Sequence, residues 1–289
     1  MRLTVIGGDM RHAKLAELLA ADDNQVATYA IDKITLSDRV ESCGSVFDAV
    51  EGTDCVILPL PVTSRNGILN APLSSTTHTV AAILACLQRG TMVCAGRVDD
   101  ETREAAASRG LDLIDYFERE ELMIANAVAT AEGAIQLIME ETPITVCGAK
   151  CLVIGYGRIG KLLAHRLKGL GAEVSVSARK HMDMAWIKAF GYGVEHTEKL
   201  EGKLSRFDIV VNTVPSRVLD ESRLRELKEG CLCLDLASKP GGMDFTAASR
   251  LGIKAVWALS LPGEVAPVTS GLIIKETIYN ILRERGLMT

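Results

Sequence analysis

Short apolar runs alternate with amphipathic stretches along the whole chain. Leu3 to Ile6, Gln25 to Tyr29, Cys55 to Leu58, Thr91 to Ala95 and Leu111 to Asp115 read as strands. Helix-like stretches such as Arg11 to Ala20 and Val46 to Val50 separate them. Strands alternating with helices predict a parallel sheet with right-handed crossovers. The rhythm then repeats in Cys151 to Ile154, Glu173 to Ala178, Asp208 to Asn212, Cys231 to Leu236 and Ile253 to Trp257. These runs are apolar almost throughout, as expected of parallel strands covered on both faces. Between the repeats, Glu121 to Glu141 predicts one long helix, stopped where Thr142-Pro143 blocks its continuation. Ser270 to Arg285 predicts a last helix, with Leu272, Ile273, Ile274, Ile278 and Ile281 apolar, expected to pack back on the first repeat.

The junction of the first strand and helix of the second repeat carries Gly155, Gly157 and Gly160, a G-x-G-x-x-G spacing. The three glycines serve, in order, the tight turn, close approach of a pyrophosphate to the backbone, and close packing of the helix on the strand. Free N–H groups and the positive helix end then hold phosphates. Arg158 and Ile159 lie inside this turn. The next strand ends in Ser177, Ala178, Arg179 and Lys180, with no acid where a carboxylate would take the ribose hydroxyls of NAD. A hydroxyl with two cations suits a 2′-phosphate, so NADP is the expected cofactor. Thr213-Val214-Pro215 and Ser238 follow later strands and are expected beside the nicotinamide end. The predicted fold class is α/β, with two doubly wound parallel-sheet domains, the second a Rossmann NAD(P)-binding domain. Residues 1–125 form the first, completed by a helix within 270–289; residues 126–143 form an interdomain helix; residues 144–269 form the second. The cleft between the two is the expected active site.

Two loops of the first half stand out. Pro59 to Ser74 follows the third strand, is rich in Pro, Asn and Ser, and sits at the sheet edge where α/β proteins collect ligands. Ser64, Asn66 and Asn70 are its candidate substrate donors, with Arg11 as a cation and Thr130 on the long helix. Gly7-Gly8 lacks the third glycine of a nucleotide turn and is expected to line a substrate cleft. Asp115 to Glu120 leads into the long helix, whose small-residue stretch Asn126 to Gly133 allows close approach of a neighbour or a ligand.

Composition narrows the partners. The chain has 289 residues, 48% hydrophobic and 24% charged, enough for two cores. A net charge of −5 argues against nucleic acid. No apolar run is expected to reach the ~20 residues of a membrane span, so no membrane is expected. The start, MRLTVIGGD, reads as a strand rather than a signal peptide. Of eight cysteines, Cys55, Cys94, Cys151, Cys231 and Cys233 fall in apolar strands, as buried thiols of a reducing cytoplasm do. Cys147 and Cys151 lack a second ligand pair, so no metal is expected.

The combined pattern resembles the A subunit of dipicolinate synthase, the dehydrogenase-like subunit of the spore-former enzyme. The resemblance is carried by Gly7-Gly8-Asp9-Met10-Arg11, Pro59 to Ser64, Leu69 to Ser74, Asn126-Ala127 with Thr130 to Ala134, and Leu261 to Pro267. It implies NADP-dependent oxidation of a dihydrodipicolinate-type ring to pyridine-2,6-dicarboxylate during sporulation, in the mother-cell cytoplasm. It also implies a second, flavoprotein-like partner (the B subunit of dipicolinate synthase), and a homo-oligomer is expected. The architecture also resembles 2-hydroxy-acid dehydrogenases, but Leu251 to Pro267 contains no histidine to serve as their base. Aromatising a dihydropyridine needs positioning more than strong acid–base help. Arg11, Arg65, Arg97 and Arg119 are the cations available to carboxylates, and Glu118 and Glu132 are the candidate catalytic acids or bases. The alternative is a non-catalytic NADP-binding module that orients or regulates a partner enzyme.

Overall fold

A computed structural model describes residues 1–288. The chain divides into two compact units, the first made of Met1–Asn126 with Ala266–Thr289, the second of Ala127–Val265.

In the first unit the elements run β1 (Arg2–Ile6), α1 (Met10–Ala21), β2 (Gln25–Tyr29), β3 (Val40–Ser42), α2 (Val46–Val50), β4 (Cys55–Ile57), β5 (Thr63–Arg65), β6 (Ile68–Leu69), α3 (Val80–Ala85), β7 (Met92–Ala95), α4 (Asp100–Ser108) and β8 (Asp112–Asp115). Its six-stranded sheet has the order β3-β2-β1-β4-β7-β8, and every pair is parallel. Alternation along β1 sends Leu3 and Val5 to one face, with Leu15 and Leu19 of α1, and Ile6 to the other, with Val56, Leu84 and Val93. Burying each such leucine contributes roughly 2 kcal/mol. Thr4, fully buried among them, donates its hydroxyl to the Ala49 carbonyl at 2.7 Å.

The long helix α5 (Glu120–Glu141) carries the chain from one unit to the other, the division falling inside it. On length and composition α5 could cross a membrane, which corrects the expectation that no run reaches that size. Its apolar window has a mean hydropathy of 1.5 and is 39% buried inside the protein.

The second unit continues with β9 (Lys150–Ile154), α6 (Arg158–Gly169), β10 (Glu173–Ala178), α7 (His181–Ala189), β11 (Gly193–His196), β12 (Ile209–Asn212), α8 (Glu221–Leu224), β13 (Leu232–Asp235), α9 (Phe245–Arg250), β14 (Lys254–Trp257) and α10 (Leu261–Val265). Its sheet order is β11-β10-β9-β12-β13-β14, again all parallel. Reversal of strand order at β9/β12 gives the doubly wound arrangement, with its crevice at the carboxyl edge. Cys151 and Val153 pack with Leu163 and Leu167 on one face, Leu152 and Ile154 with Phe207 and Val210 on the other. The final helix α11 (Pro267–Glu284) returns to the first unit, where Ile274, Ile278 and Leu282 join the core that holds Leu15 and Leu19.

Candidate functional site

In the second unit the turn between β9 and α6 has the form that the glycine spacing predicts. Gly155 has φ +100, and a Cβ on it would lie 2.5 Å from the Thr213 hydroxyl. A Cβ on Gly160 would run into the Gly155 carbonyl oxygen, so only glycine lets α6 start this close to β9. Gly157 has open space around its missing side chain. It is the N-cap of the 12-residue α6 and provides no side-chain cap, leaving the first N–H groups of the helix for an anion. Arg158 and Ile159 open that helix, the first exposed and the second half-buried.

A cavity of about 650 Å³ lies against this turn, lined by Gly155 and Gly157, by Ala178-Arg179-Lys180 and by Thr213-Val214-Pro215. Its floor is set by local bonds. The Thr213 hydroxyl donates to the Ile154 carbonyl at 2.9 Å, and Val214 N donates to Asn212 Oδ1 at 3.1 Å. Asn212 in turn donates to Asp235 at 2.8 Å; both are fully buried, and Asp235 also accepts from Ala237 N and Gly242 N. Asp235 thus fixes the loop after β13, a role the sequence pattern did not single out. Ser238 in that loop is exposed and is not among the residues of the cavity wall.

Arg179 and Lys180 are exposed on this wall, and neither side chain makes a hydrogen bond or ion pair among the described residues. Arg217 and Arg223 line it too, but they are paired with Asp244 and Glu201, and Asp183 and Glu198 add negative charge nearby. Ser177 departs from its expected place. Its side chain is fully buried and accepts from the Thr197 hydroxyl at 3.1 Å, because the strand register carries it into the sheet interior between β9 and β11. Thr197 lines the cavity in its stead.

In the first unit the β1–α1 turn meets the Pro59–Ser74 segment. Gly8 N donates to the Asn70 carbonyl at 2.9 Å, and a Cβ on Gly7 would lie 2.8 Å from Leu69. Asn70 Nδ2 donates to the Pro61 carbonyl at 3.1 Å. Part of this segment is the antiparallel hairpin β5–β6, with Asn66 at its tip in the left-handed region, φ 44. Ser64 and Asn66 are exposed on the hairpin. Arg11 is not the free cation expected. It is 6% exposed, grips Asp9 through Nε and Nη2, and donates from Nη2 to the Leu60 carbonyl at 2.5 Å. Thr130 is buried on α5 within the second unit. Glu118 and Glu132 are exposed surface partners of Arg103, at 3.0 Å, and of Arg166, at 3.3 Å.

Behind the turn lies a group the sequence did not flag. His12 is fully buried, with Nε2 3.2 Å from the Tyr116 hydroxyl and Nδ1 3.6 Å from Asp9 Oδ1, beyond hydrogen-bond length. Burial pushes the Tyr116 hydroxyl well up, so it keeps its proton and donates it to the Leu58 carbonyl at 3.0 Å. His12 Nε2 must then be the donor to Tyr116, which leaves Nδ1 bare and without a hydrogen-bond partner.

Burial also pushes the His12 imidazole below its ordinary 6.5, against the pull of Asp9. For Asp9, burial would raise the carboxyl, but the Arg11 guanidinium that hydrogen-bonds it outweighs this and holds the group well below the carboxylate range. Both folded values are depressed, so their contribution is complete above the unfolded values and is lost as pH falls through the folded ones. The melting temperature of the first unit is expected to drop as pH falls below about 6.5, with a shallower slope in His12→Gln. A parallel slope in the variant, measured by circular dichroism across pH 5–8, would contradict the role of His12.

Residues 2–117 match the family described as the N-terminal domain of the dipicolinate synthase A subunit. The dipicolinate synthase A subunit of Bacillus subtilis (strain 168) is 32% identical over 288 residues, 98% of this chain and 96% of that protein. The chain belongs to the dipicolinate synthase A subunit family. Solved structures of this family agree with it over the full length. The one from Bacillus halodurans has a TM-score of 0.88 at 29% identity, covering 97% of both chains. The one from Bacillus subtilis has a TM-score of 0.87 at 31% identity, covering 98% of this chain and 96% of that one. Residues 122–237 match the D-isomer specific 2-hydroxyacid dehydrogenase NAD binding domain. The second unit is therefore a nicotinamide-dinucleotide domain of dehydrogenase type, and its glycine turn and cavity fit that group.

Proposed function

We propose that this chain oxidises a dihydrodipicolinate-type intermediate to pyridine-2,6-dicarboxylate with NADP, in the cytoplasm of a sporulating bacterium, together with a second, flavoprotein-like subunit. The observation that carries the proposal is the full-length likeness to the dipicolinate synthase A subunit, which spans both units. The eight cysteines, all free thiols, accord with a reducing compartment. When bound, the dinucleotide supplies the hydride acceptor. The chain's own part is to hold and orient. The α6 N-terminus and Gly157 receive the pyrophosphate, and unpaired Arg179 and Lys180 receive the 2′-phosphate, with Arg able to bind it bidentately. Ser64, Asn66 and Asn70 offer neutral donors to the substrate. The ring loses one hydride and one proton; the proton goes to water or to the second subunit. Aromatic stability drives the step, so alignment of the ring contributes most.

A second reading is favoured by one observation. Glu118 and Glu132 are both exposed and ion-paired, which leaves the acid–base role unfilled, as it would be in a non-catalytic NADP module. The two readings separate in one assay: absorbance at 340 nm with this chain, NADP and freshly made substrate, with and without the second subunit. The expected result is NADP reduction from this chain, faster once the second subunit is added. Full rate from this chain alone would remove the dependence on the second subunit. No NADP reduction with both present would leave the non-catalytic module.

A further inference from the structure

We infer that Arg97 grips a carboxylate of the substrate at the carboxyl edge of the first unit's sheet; this rests on the dicarboxylate reading above. Open α/β sheets take ligands where the strand order reverses, here between β1 and β4. The chain itself reaches across that crevice. The Gly8–Asn70 and Arg11–Leu60 bonds tie the Pro59–Ser74 segment over it, and Arg11 is consumed in doing so. The next strand outward is β7, which ends at Ala95. Gly96 is wedged in place, since a Cβ on it would lie 2.8 Å from both Leu60 and Tyr116. Arg97 follows with φ +53, a left-handed backbone that costs a non-glycine residue on the order of 1 kcal/mol.

The fold holds that conformation in place. Asp115, 8% exposed at the end of neighbouring β8, accepts from Arg97 N at 2.9 Å, Val98 N at 2.7 Å and Phe117 N at 2.9 Å. Asp99, two residues on from Arg97, accepts from the Thr63 hydroxyl at 2.6 Å and from Thr102 N at 2.8 Å. The Arg97 side chain is exposed and makes no hydrogen bond or ion pair among the described residues. Arg103 and Arg119, by contrast, are paired with Glu118 and Glu284. Glycine would adopt this backbone without strain, so nothing in the fold calls for arginine here. An unpaired guanidinium on a fixed backbone at a ligand-collecting edge fits a carboxylate, which it can bind through two parallel N–H bonds.

The test is a calorimetric titration of the full chain with pyridine-2,6-dicarboxylate in saturating NADPH, alongside a titration with NADPH alone. Arg97→Gly is expected to weaken the dicarboxylate at least tenfold, about 1.4 kcal/mol, with NADPH affinity unchanged and the melting temperature not lowered. Arg97→Lys, which keeps charge but loses the fork, should fall between. Equal dicarboxylate affinity in Arg97→Gly and the native chain would overturn the assignment. If the native chain binds NADPH but no dicarboxylate, the substrate reading falls first and the role of Arg97 with it.

Discussion

Alanine at Gly160 is expected to abolish dinucleotide binding and to destabilise the second unit by on the order of 2–3 kcal/mol. The added Cβ meets the Gly155 carbonyl oxygen, a backbone atom of a turn whose φ of +100 leaves it little room to yield. Relief would require α6 to lift away from β9. That would move the helix N-terminus off the phosphate position and open the contact of Leu163 and Leu167 with Cys151 and Val153. Gly157→Ala is the informative companion. Its site is open and its φ of −80 suits any residue, so stability should hold while NADPH binding weakens. Thermal unfolding and NADPH titration of both variants separate the two roles. Normal NADPH binding by Gly160→Ala would show that α6 need not start where it does.

Arg179→Asp is expected to invert cofactor preference. The native chain should bind NADPH at least tenfold more tightly than NADH, about 1.4 kcal/mol. Reversing charge at an unpaired cation on the cavity wall should cost NADPH roughly a hundredfold, about 2.7 kcal/mol, and leave NADH little changed. The fold should survive, because the Arg179 side chain bonds to nothing among the described residues. Equal affinity of the native chain for the two cofactors, by calorimetry, would end the 2′-phosphate assignment.

Much of this architecture was legible because buried parallel strands are written as short apolar runs. The runs around Leu3, Cys55, Met92, Cys151 and Cys233 all became strands of the two sheets. Two edge strands were not legible. Val40–Ser42 buries only its first residue, and Gly193–His196 buries Glu195, a carboxylate that the apolar pattern counts as polar. Glu195 is tolerated inside because Lys203, at 2.6 Å, and Arg206 both pair with it. The hairpin within Pro59–Ser74 was hidden by its two- and three-residue strands.

At the sites, the glycine turn could be read because its spacing states a backbone requirement. Side-chain roles could not, since they depend on neighbours distant in sequence. Arg11 is taken up by Asp9 and by a carbonyl 49 residues away. Ser177 turns inward to Thr197. His12 finds Tyr116 across 104 residues. The left-handed backbone of Arg97 carries no sequence signal either, because it depends on Asp115, 18 residues on.

The central claim is that hydride leaves the substrate ring for the nicotinamide held by the second unit. It is tested most directly by following the transferred atom. Substrate deuterated at every saturated ring position is incubated with this chain, NADP and the second subunit. The NADPH formed is then analysed by mass spectrometry against dipicolinate absorbance. The expected result is one deuterium in NADPH per dipicolinate formed. Dipicolinate accumulating while the nicotinamide gains no deuterium would contradict the claim.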